Sequence, residues 1–126
     1  LTVGGAVSGS GTNNLTTQNA GTVILSSGAN SYSGNTTVGT SSTLKLGAAN
    51  VIPNGTGNGS LTVDGTLDLN GYSNTVASLT FVNGGTVTTD AGRLELGGNV
   101  TATSRSPCFP ELCSVMNAAP SFTPPI

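Results

Sequence analysis

Leu61 and Val63 alternate with polar neighbours, and so do Leu67 and Leu69, which is the two-residue period of a half-buried strand. Asp64 and Gly65 stand between them. An Asp-Gly pair between two strands normally signals a hairpin. Here, however, the same strand-and-corner unit recurs at 22–25, 43–46, 79–81, 85–88 and 93–96. Many short, evenly spaced strands with glycine and asparagine corners indicate a solenoid, or else a many-stranded sandwich or barrel. The solenoid is the predicted fold. A hydrophobic supply of mostly single Leu and Val residues suits a narrow β-helix, in which each coil sets a few inward aliphatics over those of the next.

In chain order, residues 4–20 read as an irregular first coil with Leu15 among its few anchors. The pattern becomes regular at Gly21: Val23 and Leu25 form one inward pair, Leu44 and Leu46 the next, with a strand at Thr36, Thr37 and Val38 between them. Residues 47–59 are the longest loop, because 54–59 carry no anchor and Pro53 does not fit inside a ladder. Further strands are expected near 76–82, 85–89, 93–96 and 99–103. Strand centres lie about 6–8 residues apart, so three make a coil of about 20. Residues 1–104 then give about five coils stacked at ~4.8 Å, a rod of about 25 Å with two open ends. Open β edges invite pairing with another chain.

Composition narrows the function more than it names one. Charged residues make up 6% of the 126, aromatics 4%, and His and Trp are absent. Disordered chains are rich in charge and poor in β-branched residues, whereas this one is dense in Thr and Val. No apolar run approaches the ~20 residues of a spanning helix. Three basic residues, Lys45, Arg93 and Arg105, cannot neutralise a phosphate track, so nucleic acid is not an expected partner. The chain opens on Leu1-Thr2-Val3 in mid-pattern and reads as a mature or excised fragment.

Residues 21–38, followed by Thr43-Leu44-Lys45-Leu46-Gly47, resemble the β-strand repeat of autotransporter passenger domains. The stretch from Leu61 to Asn70-Gly71-Tyr72, running on through Val76-Ala77-Ser78-Leu79, resembles the segment that follows that repeat. The likeness covers about residues 21–99 and carries no catalytic motif. It implies a secreted, right-handed parallel β-helix displayed outside a bacterial cell.

Beyond Ser104 the composition changes, with five of the six prolines and both cysteines in 105–126. Residues 1–104 are therefore the expected solenoid and 105–126 a C-terminal cap or interaction arm. A short helix at 110–117 would set Phe109, Leu112 and Val115 or Met116 on one face; with Phe122 and Ile126 these form the candidate assembly arm. Cys108 and Cys113 do not have the Cys-x-x-Cys spacing of redox or zinc sites, and no His accompanies them. In a secreted chain they are candidates for a local disulfide.

Other constellations are weaker. Asp64 and Asp68 are the closest acids within the repeat, and a glycosidase needs two carboxylates, but they read as a turn former and an outward strand residue. Arg93 and Glu95 also alternate outward, within reach of Asp68 or Lys45 on adjoining coils. Residues 55–59 suggest a phosphate loop superficially, without its Lys or a following helix. Asn14, Asn35, Asn54, Asn58 and Asn99 each head an Asn-x-Ser/Thr triplet, as frequent Ser and Thr make common. Tyr32 and Tyr72 follow Asn- and Gly-containing corners, where two exposed rings would grip a sugar and a corner Tyr would otherwise cover the strand beneath it. The expected function is that of a non-enzymatic extracellular structural solenoid, a surface-stalk segment or a self-assembling fibre subunit. It needs no metal or cofactor, and its expected partner is itself. The alternative is an adhesin-type module holding a host glycan or surface protein along Tyr32, Tyr72 and the 47–59 loop; a polysaccharide lyase or hydrolase is the third and least supported.

Overall fold

A computed structural model of the chain describes residues 1–54 and 59–103. The described residues are all-β. Their strands are β1 (Thr2–Val3), β2 (Leu15–Thr17), β3 (Gly21–Leu25), β4 (Thr36–Val38), β5 (Ser42–Leu46), β6 (Leu61–Val63), β7 (Thr66–Asp68), β8 (Asn74–Val76), β9 (Leu79–Val82), β10 (Thr86–Thr88), β11 (Leu94–Leu96) and β12 (Val100–Thr103). They form three parallel sheets in the orders β1-β3-β5-β7-β10, β2-β4-β6-β9-β12 and β8-β11. No strand pairs with its neighbour in sequence; each pairs with a strand one coil away. This is a parallel β-solenoid of five coils.

The Asp-Gly joint shows why no hairpin forms. β6 and β7 flank it but lie in different sheets. The Asp64 and Gly65 amides both donate to the Val38 carbonyl of the preceding coil, and Gly65 O accepts from Thr86 N of the next. The corner is thus bonded along the stack rather than across itself. Corners elsewhere use left-handed backbone at Asn19, Ser41, Asn70, Asn83 and Asp90, a conformation that short polar side chains tolerate better than bulky ones. Gly85 has a different reason: a Cβ there would overlap the Val63 carbonyl, so this corner of the fifth coil rests directly on backbone.

Register builds the core in columns. Val23, Leu44, Leu67 and Val87 align in the first sheet. Leu15, Thr36, Leu61, Leu79 and Val100 align in the second. Leu44, Leu61 and Leu67 are fully buried, so the interior is filled by stacked aliphatics one or two wide. Steps from Thr66 to Thr86 and from Asn74 to Leu94 give the expected coil of about 20 residues. On the outer side of the second sheet, Thr16, Thr37, Thr62, Thr80 and Thr101 form a column whose β-branched side chains pack rung on rung.

The third side differs from the regular three-strand expectation. Among the described residues only the last two coils place strands there, β8 and β11. Earlier coils cross it as loops, and buried asparagines take over the missing ladder bonds. Asn30 Oδ1 accepts from Val7 N at 2.7 Å, and its Nδ2 donates to Val51 O at 2.7 Å, joining three coils. Asn74 holds both backbone groups of Ile52, accepting from its N at 2.9 Å and donating to its O at 3.0 Å. Val51 and Ile52 are themselves core residues, so the 47–60 excursion is anchored at its middle. Among the described residues no buried side-chain polar atom lacks a partner.

Leu44→Ala should therefore cost about 2–5 kcal/mol, read as a lower urea midpoint. Val100→Ala, at the exposed end of its column, should cost under about 1 kcal/mol. Asn74→Leu should cost about 2–6 kcal/mol, because it strands two buried backbone groups at ~1–3 kcal/mol each. Equal midpoints for Asn74→Leu and the unsubstituted chain would remove the asparagine from the account.

Candidate functional site

Within 1–54 and 59–103, each chemically suggestive residue has a definite place on these coils. Tyr32 lies on the third side of the second coil and is only 2% exposed. Its hydroxyl shares a hydrogen bond of 2.8 Å with Thr36 Oγ1, the inward residue that opens β4. The ring fills space beside Thr36, which interrupts an otherwise aliphatic column. Tyr72 follows the Asn70-Gly71 corner of the fourth coil and is 40% exposed, with its amide donating to Leu69 O at 2.8 Å. The two rings are not equivalent: one lies two residues after buried Asn30, the other two before buried Asn74. The two exposed rings that a sugar grip would need do not form, because Tyr32 is packed inside.

The two acids also serve the stack. Asp64 Oδ2 accepts from Thr40 Oγ1 at 2.7 Å, and its Oδ1 from Asn83 Nδ2 at 3.2 Å, linking corners of three successive coils. Asp68 Oδ1 accepts from its own corner at Asn70 N (2.8 Å) and from Thr88 Oγ1 (3.4 Å), while Lys45 Nζ lies 3.6 Å from Oδ2. The expected meeting of Arg93 and Glu95 with Asp68 or Lys45 does not occur among the described residues, because Lys45 and Asp68 pair with each other. Arg93 pairs instead with Glu95 on its own strand edge, and Thr75 donates to Glu95 from the coil before. These pairs are solvated and worth about 0–1 kcal/mol each. Neither aspartate lines either of the two hollows described next.

Two shallow hollows mark the surface of the described residues. One, of about 430 Å³, is lined by Gly28, Asn30, Ser31, Asn50, Pro53 and Asn54. The other, of about 460 Å³, lies against the corners of the second and third coils at Gln18, Asn19, Ala20, Gly39, Thr40 and Ser41. Both are polar, and neither is lined by a carboxylate, an amine or an aromatic ring. Among the described residues no three His, Cys, Asp or Glu side chains converge, and no helix is long and apolar enough to cross a membrane. Such surfaces can hold water or a hydroxyl-rich chain by hydrogen bonds, but they assemble no nucleophile with a base.

Residues 55–58 of the loop lie outside the described residues, as do Cys108, Cys113, Phe109, Leu112, Val115, Met116, Phe122, Ile126 and the short helix expected at 110–117. The residues that sequence reasoning passed over are structural. Asn30 and Asn74 look like any other corner asparagine, and Val51 and Ile52 sit in what reads as a loop. The adjacent apolar pair Val51-Ile52 was the one available signal. No family model, curated protein or solved structure matches the chain.

Burial pushes the Tyr32 phenol above its ordinary range, with the Thr36 hydrogen bond a smaller opposing effect. The unfolded phenol ionises near 10, so the stability Tyr32 gives is complete below that pH and is lost as pH rises through the higher folded value. Urea midpoints should stay level up to about pH 10 and then fall. Tyr32→Phe should flatten that fall; an unchanged profile would place its cause elsewhere.

Proposed function

We propose that this chain is a non-enzymatic structural β-solenoid working outside the cell. It would be a rigid stalk segment of a surface protein, or a subunit stacked into a fibre. One observation carries the reading: the acids, corner asparagines and backbone amides above are committed to adjoining coils, so the polar chemistry builds the rod rather than a site. Resemblance of residues 21–99 to the autotransporter passenger repeat supports export and display on a bacterial surface. A low-charge surface of hydroxyls and amides suits an extracellular spacer, which must stay solvated without attracting polyanions.

The physics of either role is the same. Parallel coils satisfy one another's backbone groups and, among the described residues, end on strands paired on one side only, β1 and β2 at one rim and β10, β11 and β12 at the other. Where a rim meets another copy head to tail, the contact is heterologous and extends as an open filament. A second reading, the adhesin, is favoured by a single feature, the exposed ring of Tyr72.

Negative-stain microscopy of the full chain, with and without reductant, separates these roles. Uniform fibres would identify the fibre subunit, and their loss on reduction would tie assembly to Cys108 and Cys113. Short single rods would identify the stalk. Glycan or host-protein binding abolished by Tyr72→Ala would replace the structural reading with the adhesin.

A further inference from the structure

The second sheet carries a repeat finer than its strands. Residues 14–16, 35–37, 60–62, 78–80 and 99–101 each read Asn or Ser, then a residue of the inner column, then Thr. Alternation turns the first and third members of each triplet to the outer face. Five coils therefore set two polar ranks side by side, one of Asn and Ser and one of Thr. Rungs lie about 4.8 Å apart and the ranks about 7 Å apart. Both ranks are held in place. Asn14 Oδ1 accepts from Asn35 N at 2.8 Å, Asn35 Oδ1 accepts from Ser60 N at 2.9 Å, and Ser78 Oγ donates to Ser60 Oγ at 2.7 Å. The threonines are fixed by the ladder beneath them and by the stiff χ1 of a β-branched side chain.

The hydroxyls of this rank are polar groups that the rod does not use. Thr40, Thr75, Thr88 and Thr103 bond to other protein groups. Among the described residues, none of the five threonine hydroxyls in the rank does so. Neither rank carries a charge, and Asp64, the next outward position after Thr62, is turned to Thr40 and Asn83. The first sheet also has a threonine rank, Thr22, Thr43, Thr66 and Thr86, but the rank beside it contains the Lys45–Asp68 pair.

We propose that the outer face of the second sheet binds the surface of crystalline water. The proposal goes beyond the structural rod and holds for a stalk or a fibre alike. Three arguments select ice as the occupant. First, a hydroxyl and a methyl recur at every rung, at a spacing close to the oxygen repeat of ice. Successive hydroxyls then take lattice positions while the methyls sit in the hollows between them. Second, a glycan fits less well, because sugars are gripped by stacking on rings and neither rank has one. Third, the face measures roughly 19 by 7 Å, far below the ~800 Å² per partner of a stable protein interface. A crystal, in contrast, meets every rung with the same contact.

Ice recrystallisation in a thin frozen film of the full chain tests this. At micromolar concentration the unsubstituted protein should keep crystals small, and a single growing crystal should take on facets. Thr37→Tyr/Thr62→Tyr keeps a hydroxyl and a strand-forming side chain at each position but breaks the flat rank. It should require about tenfold or more protein for the same effect. Thr43→Tyr/Thr66→Tyr, the matched change on the first sheet, should keep the activity. Urea midpoints of both variants report the fold, and Thr80→Tyr alone repeats the test where a double variant has lost stability. Ice that grows in the unsubstituted protein as it does in buffer would overturn the proposal. So would full activity in Thr37→Tyr/Thr62→Tyr. Equal loss in both pairs at unchanged midpoints would overturn it too, by spreading the effect over the whole rod.

Discussion

Every described coil of this protein depends on an adjoining coil for backbone hydrogen bonds. A three-residue strand such as β6 has no stability alone, since a short extended segment loses conformational freedom and buries only Leu61 and Val63. Bonded to β4 on one side and β9 on the other, the same strand has its polar groups satisfied and its aliphatics stacked. Stability is then shared between neighbours, as in other repeat architectures. This explains why corners, acids and amides that might form a site elsewhere are here turned along the axis. Asp64 illustrates it: its two oxygens bond to corners on opposite sides of its own.

Much of the architecture was legible because strand alternation is local. The strands at 36–38, 61–63 and 94–96 fall where Thr-Val, Leu-Thr-Val and Leu-Glu-Leu place them, and five coils follow from their spacing. The Asp64-Gly65 joint was legible only through repetition. Taken alone it is a hairpin signal; among many like units it is a corner. β9 falls on the 79–81 unit, but β8 at Asn74–Val76 was not visible as a separate strand, since Ala77 and Ser78 bend the chain between them without Gly or Pro.

The candidate site was less legible, for a physical reason. Whether Tyr32 faces water depends on what Thr36 leaves unfilled in a column contributed by four other coils. A sequence window around Tyr32 holds none of those residues. Buried Asn30 and Asn74 pose the same problem in reverse, because their bonds go to Val7, Val51 and Ile52 about one coil away. In a solenoid the neighbours that decide a residue's environment lie a full coil distant, so local composition speaks of strands and corners and says little about exposure.

The asparagine-held side of the rod has a consequence for how such a chain can change. Where regular strands pair, an added residue would throw the alternation out of step and turn core side chains outward. On the third side the path from β5 to β6 is longer than the path from β3 to β4, yet both ends keep register with their neighbours. Val51, Ile52 and the grip of Asn74 absorb the difference. That side is the permissive one, where foreign segments can be grafted and lengths can drift between generations while the scaffold stays put.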